Sequence, residues 1–596
     1  MHDVVTGSAR FKAPRFVAAA LLASLPFASA CRQGIFDDGD ARWRVPAEKL
    51  QRIESIDPAA ASTTPPVPLE EATRERLSDL ELPARPGEEV ALSIGEVRAT
   101  VLERNLDLRV RLIDPAIAAQ AVVGEEAKFN AVFFAGYDRN NSGIVADLAQ
   151  GRAAESEAAD IGVRIPLATG GSISLSSEIN RSPTGVSFDA SGDDWLAGLR
   201  FSMSQPLLRG AGVNANTHSI RVANWQGQIA DARTKLEAIR VLANADKAYW
   251  ALYVAYRELE VRRNQHEIAV ELLERAQRRI DQGTTAPVEV IRAESGVGRT
   301  LESILVADLN LRIRQRALKR LLNREDLPVS SATPLKPATE PSPVGLELDG
   351  RRLVEEALVN RMEMLELELQ LAIDQSEIGF RRNAALPLFV LDYGYNIQGT
   401  GSEVNEAYGS FGDADSFNIG LRAEIPLGNE VLESRLNQAI LQRVQRLGTR
   451  EARRQAIETE VYDALDALGQ SWQRILAARL ETVLAGRTLE AEQRQFEAGR
   501  RTATEVLDAS TRLADAQVRE VNALASYQTA LVDIAFATGT SLGAQRIRWE
   551  PFSMDELPSL EQLPGAVPAE RPGGFRIEPS VDAAVAPAPS GDAAPA

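Results

Sequence analysis

The sequence predicts a mostly α-helical chain that also carries membrane-type β-strands and is built twice on one plan. Three observations predict it. An internal repeat holds a fixed offset of 216 residues, each half contains a helical stripe far too long for one compact core, and short segments of alternating apolar and polar residues lie between the helices.

Composition narrows the functions available. At 596 residues the chain has the length of several ordinary domains. A formal charge of −18 leaves no basic face for nucleic acid. The single cysteine, Cys31, and three histidines, His2, His218 and His266, give almost no raw material for thiol catalysis, zinc sites or disulfides. No nucleophile, metal cluster or phosphate loop stands out, so neither an enzyme nor a cofactor is expected.

Residues 1–30 read as a secretory signal, with Arg10, Lys12 and Arg15 ahead of an apolar run from Phe16 to Ala30. Ala28-Ser29-Ala30 fits ordinary cleavage, but Cys31 follows directly, as in a bacterial lipobox with alanine where leucine is usual, so Cys31 is a candidate for lipid attachment. No other stretch offers about 20 consecutive apolar residues, so membrane insertion would have to use a closed barrel. The plan is a polar linker over 31–89, a first repeat over 90–323, a linker over 324–349, a second repeat over 350–545 and a poorly ordered Ala/Pro-rich tail over 546–596.

The repeat is carried by packing positions. Ala223 pairs with Ala439, Tyr249, Leu252, Tyr256 and Leu259 pair with Leu465, Leu468, Trp472 and Ile475, and Gly283 and Ala293 pair with Gly499 and Ala509. The three-four-three spacing is that of helices packed side by side. The long helices span roughly Thr217 to Asp281 and Val431 to Glu497, on the order of 100 Å each. Four shorter helices supply partners along that length: Leu92 to Lys128 and Val288 to Leu322 in the first half, Gly350 to Ala385 and Ala503 to Thr538 in the second. Gly283 and Gly499 follow the long helices, where a left-handed cap is wanted, which makes the two tips equivalent hairpin ends.

Strands come next. Trp195, Ala197, Leu199, Phe201 and Met203 share one face of a strand, as do Phe417, Ile419, Leu421, Ala423 and Ile425. Ala131 to Tyr137 and Leu388 to Tyr395 complete each half. The alternation alone fits a sandwich or a membrane barrel. A secreted chain with few strands and very long helices has no second sheet for a sandwich, which favours the barrel. Four strands per chain fall below the smallest barrels of about eight, so copies must pool them. Ile161 to Leu167 and Ser172 to Ile179 read as an extra hairpin present only in the first half, with its place left open.

Ser204-Gln205-Pro206-Leu207-Leu208-Arg209-Gly210, Ala248-Tyr249-Trp250, Ile425-Pro426-Leu427 and Ala537-Thr538-Gly539 together resemble the signposts of TolC-like outer-membrane efflux proteins, over roughly residues 90 to 545. The resemblance implies a homotrimer whose twelve strands, four per chain, form one barrel in outer-membrane lipid, continued by an α-helical barrel through the periplasm. It implies passive conduction of small molecules or drugs. Substrates are driven by an inner-membrane pump or a secretion ATPase and handed over by a periplasmic adaptor.

The resemblance also implies where a gate lies. Aligned on the glycine, Glu505 and Asp508 take the positions of an acidic ring at the periplasmic opening, which would attract cations and raise each other's pKa. Arg501 takes the place of a latch arginine, Glu289 that of its acidic partner, and Phe496 that of a latch tyrosine, with the hydroxyl missing. The adaptor would dock around the Gly283 and Gly499 turns. A protein-secretion duct fits the same residues, whereas a periplasmic coiled-coil adaptor would have one hairpin and compact β-domains.

Overall fold

The computed structural model describes residues 89–142, 154–182, 194–282, 286–412, 414–550 and 574–577, together with Thr63. The chain divides into two units, Met1–Leu82 and Pro83–Ala596, and every element described belongs to the second. The expected signal segment and Cys31 lie outside the described residues.

In chain order, β1 (Val90–Leu92) leads into α1 (Ile94–Arg104), α2 (Leu106–Arg111) and α3 (Asp114–Glu126). Strands β2 (Val132–Ser142), β3 (Ala154–Pro166), β4 (Ser172–Ser182) and β5 (Asp194–Pro206) follow, then the short α4 (Val213–Asn216), α5 (His218–Asp281), α6 (Pro287–Leu322) and β6 (Leu335–Pro337). The second repeat runs through α7 (Gly350–Asn360), α8 (Met362–Ala384), β7 (Leu388–Gly401), α9 (Val404–Gly409), β8 (Ala414–Glu424), α10 (Glu430–Glu497) and α11 (Ala503–Ala537). It closes with α12 (Ser541–Ala544), β9 (Ile547–Glu550) and β10 (Gly574–Ile577).

The long helices have 64 and 68 residues and end where the sequence places them. The helices lie side by side in two consistent orders. Toward the hairpin tips the order is α6, α5, α11, α10, and toward the strands it is α3, α5, α8, α10. Each long helix is therefore flanked by shorter helices in succession, as their lengths require. The central core sits where α1, α5 and α6 meet the small parallel pair β1 and β6, and it buries Val97, Val101, Leu242, Tyr249, Leu252, Ile304 and Leu335. Tyr249 is fully buried, and its hydroxyl accepts from the Thr339 backbone N–H at 2.8 Å, so a polar atom at the centre stays satisfied.

Two predicted helices are broken, and the breaks correspond. Asn105 and Arg361 both take extended backbone between helices, dividing α1 from α2 and α7 from α8. Asn105 Nδ2 donates to the carbonyl of Leu321, and Arg361 Nη1 to that of Ala537 at 3.4 Å, the residue 216 further on. Beyond those carbonyls, Asn323 at φ 45° and Gly539 at φ 71°, also 216 apart, take the left-handed conformation that ends α6 and α11. A Cβ on Gly539 would stand 3.0 Å from the Asn360 carbonyl carbon, so the helix end and the break fit tightly. A side chain that can bond a returning helix end thus replaces continuous helix at both sites. Two further departures lie in segments read as linker and tail: 324–349 contains β6, and β9 holds Trp549 with its indole N–H on Asp231.

Six of the strands form one antiparallel sheet in the order β2-β3-β4-β5-β7-β8, while β9 and β10 pair separately. The extra hairpin is part of it, so among the described residues this sheet has six strands, not the four counted from the sequence without that hairpin. Register carries one apolar row through all six, Phe133, Val163, Leu175, Phe201, Tyr395 and Phe417. The adjacent row on the other face reads Val132, Arg164, Ser174, Ser202, Gly394 and Asn418, polar except at its first member.

Candidate gate at the hairpin tips

Local chemistry fixes the second tip first. Gly499, at φ 71°, lets its N–H reach the Phe496 carbonyl while Arg500 N–H reaches Gln495, the paired bonds of a Schellman cap on α10. Thr502 then opens α11 in a capping box: its backbone N–H donates to Glu505 at 2.8 Å, and the Glu505 carboxylate also takes the Thr502 hydroxyl. Three residues, Gly499 to Arg501, therefore turn the chain between a capped helix end and a capped helix start.

Beneath the turn a small core packs Leu272 of α5 against Leu489 and Phe496 of α10 and Val506 and Leu507 of α11. Gly296 of α6 faces Leu507 so closely that a Cβ there would stand 2.6 Å from its methyl carbon. The two hairpins meet on this core.

Charged groups tie them together. Arg279, near the end of α5, donates to the carbonyls of Phe496 and Glu497 at 2.8 and 3.0 Å and lies over the Phe496 ring at 4.4 Å. A cation is well placed at the negative end of α10. Arg275 adds an ion pair to Glu497 at 3.2 Å. From the other side Glu289, in the first turn of α6, accepts from Ala503 N–H at the positive end of α11 at 3.3 Å. Glu289, Arg279, Phe496, Gly499 and Arg501 line one cleft between the tips.

The expected Arg501–Glu289 pair does not form within the chain. Arg501 is taken up by its own hairpin, through Glu505 at 2.5 Å and Glu492 at 3.2 Å, while Glu289 binds Arg292 and the α11 N-terminus. The reason is reach: an i,i+4 carboxylate is closer than one on another hairpin. Glu505 departs from expectation too. Its carboxyl is held below the usual range, first by the Thr502 backbone N–H and then by Arg501, rather than pushed up by like charge. Asp508, one turn further, is exposed. Phe496 is buried, and Gly283 lies outside the described residues. Sequence reasoning missed Arg275 and Arg279. They are two of several arginines along α5, and only the placement of α10 distinguishes them.

Among the described residues, no group of three or more His, Cys, Asp or Glu side chains could hold a metal, and no helix is long and apolar enough to cross a membrane.

A family model described as outer membrane efflux protein matches residues 171–324 and 353–540, more than half of the chain. The outer membrane protein TolC of Vibrio cholerae serotype O1 is 24% identical over 344 residues, covering 56% of this chain and 77% of that protein. Among solved structures, the outer-membrane channel OprN aligns with a TM-score of 0.57 at 16% identity, over 75% of this chain and 90% of its own. A membrane protein from Pseudomonas aeruginosa aligns at 0.58 and 18% identity, over 77% and 96%.

Proposed function

The chain belongs to the outer membrane efflux protein family, and on that premise we propose that it is one subunit of a homotrimeric duct with its strands in outer-membrane lipid and its helices in the periplasm. The family's members are passive channels, not enzymes, so the work of this chain is to enclose a path. The path would carry small molecules delivered by an inner-membrane pump through a periplasmic adaptor seated around the Gly283 and Gly499 turns.

One observation carries the reading. The helix layer and the sheet are open at the same two edges. The first repeat ends at α3, α6 and β2, and the second at α10 and β8. Both edges keep large apolar side chains exposed, including Ile291 and Val306 on α6 and Leu441 and Leu480 on α10. Such patches mark surfaces awaiting a partner. Edges of opposite kind on one molecule favour head-to-tail packing, which closes into a ring.

At the periplasmic end the tips form the gate. Arg279 and Glu289 hold one hairpin to the other, and Arg501 stiffens the second tip. With Glu505 engaged as a cap, Asp508 is the acid best placed to face an opening, where three copies would favour cations. Asp508→Ala is expected to weaken block by divalent cations in planar bilayers, with Glu505→Ala contributing less. Fractionation tests the reading as a whole. The expected result is a heat-sensitive trimer in the outer membrane, with drug accumulation in cells lacking it. A monomer recovered from the soluble periplasm would overturn the proposal.

A further inference from the structure

We propose that the outer-membrane barrel of this protein has eighteen strands, six from each of three copies, and so encloses a wider pore than the twelve-strand plan of its relatives. The inference rests on the trimeric reading above and adds the size of the barrel to it.

The additional hairpin is built as barrel wall. Strands β3 and β4 span 13 and 11 residues, enough to cross a bilayer at a tilt. They continue the register without interruption, and the row from Phe133 to Phe417 keeps apolar side chains on one face across every strand. Phe133, Ile161, Val163 and Leu175 stay exposed, as Phe417, Ile419 and Leu421 do on β8. A hairpin that covered the sheet would bury that face; one that extends it leaves the face to lipid.

The hairpin's near turn is locked to the base of the sheet. Gly170, at φ 92°, passes so close to the Gly210 carbonyl that a Cβ would stand 2.0 Å from it. The Thr169 carbonyl accepts from Gly212 N–H at 3.0 Å and from Gln205 Nε2 at 3.2 Å. These contacts fix the β3–β4 turn where β5 passes into α4, the junction between strands and helices.

The edges then decide the closure. Strand β2 follows α3 and strand β8 precedes α10, so the sheet ends on the same two sides as the helix layer. A neighbouring copy that covers α10 with its own α3 and α6 brings its β2 to β8. Backbone groups at membrane depth must be paired, so both edges require a strand, and a second copy offers one on each side. Barrel diameter grows roughly linearly with strand number, which makes the pore about one and a half times as wide as with twelve strands.

Cysteine pairs in the full chain test the order. The first joins Ala135 on β2 to Asp415, Phe417, Ile419 or Leu421 on β8. The second joins Leu175 on β4 to the same β8 positions, and the third joins Phe133 on β2 to Phe201 on β5. Oxidation of the first pair should give covalent oligomers up to the trimer for at least one β8 position, with no product from the second or third. Oligomers from the second pair would put β2 and β3 outside the barrel, and an internal bond in the third would exclude β3 and β4; either overturns the proposal. Electron cryomicroscopy of the unmodified trimer gives an independent count, with eighteen strands expected and twelve contradicting it. A protein that forms no trimer would overturn the underlying reading instead.

Discussion

The two long helices are copies, yet α5 is enclosed while α10 stands at an edge. Tyr249 is buried in the central core, whereas its equivalent Leu465 is only partly covered; Leu252 and Leu259 keep buried counterparts in Leu468 and Ile475, but Leu441, Leu480 and Leu484 of α10 face outward. The repeat reproduces backbone, while position within the layer decides burial. A helix with neighbours on both sides is finished within one chain, and a helix at the edge keeps apolar side chains exposed, the face that a neighbouring copy would cover in the proposed trimer.

The breaks at Asn105 and Arg361 teach the same lesson in polar chemistry. Both meet the end of a returning helix, but Asn105 does so with a neutral amide and Arg361, a residue only 4% exposed, with a guanidinium. Burying that charge requires partners, and Glu363 at 2.6 Å and Glu460 supply them. The first repeat solves the joint without charge.

The largest expected effect breaks the comparison at the cores. Tyr249→Ala should destabilise the protein by about 3–5 kcal/mol in chemical denaturation, through the cavity and the unpaired Thr339 N–H. Leu465→Ala should cost less than half of that in the separated chain. The next separates the two breaks by pH. Burial alone would raise the Glu363 carboxyl, but the hydrogen bond and charge of Arg361, helped by Arg453, hold it at about 2. A depressed carboxylate contributes stability that is present above its unfolded value and lost as pH falls through the folded one. Stability should therefore drop by on the order of 3 kcal/mol between about pH 4.5 and 2. Glu363→Gln should flatten that slope, whereas Asn105→Ala should leave it unchanged. The smallest effect lies at the tip, where Gly499→Ala forces a side chain into the left-handed region at a cost of about 1 kcal/mol, read as a lower melting temperature with the trimer intact.

Much of this was legible in the sequence because periodicity and punctuation are local. Both long helices end as predicted, since glycine and the absence of proline mark them, and the apolar row of the strands follows from alternation. The break at Arg361 was not legible: its cause is the Ala537 carbonyl, 176 residues away. The hairpin tips were read in part. Gly499 and Thr502 form the turn expected of them, but the residues that join the hairpins, Arg279 and Arg275, answer to helix ends that a sequence does not bring together. The resemblance, aligned on Gly499, implies a ring position for Glu505; the structure shows that carboxylate engaged in the Thr502 capping box, three residues away.

Single-channel recording in planar bilayers decides whether the tips form a gate, by comparing the native protein with an Arg279→Ala, Glu289→Ala double variant. The native protein should show a small, closed-state conductance, and removal of the cross-hairpin ties should make it several-fold larger. Equal conductance in the two, with both trimers intact, would contradict the gate.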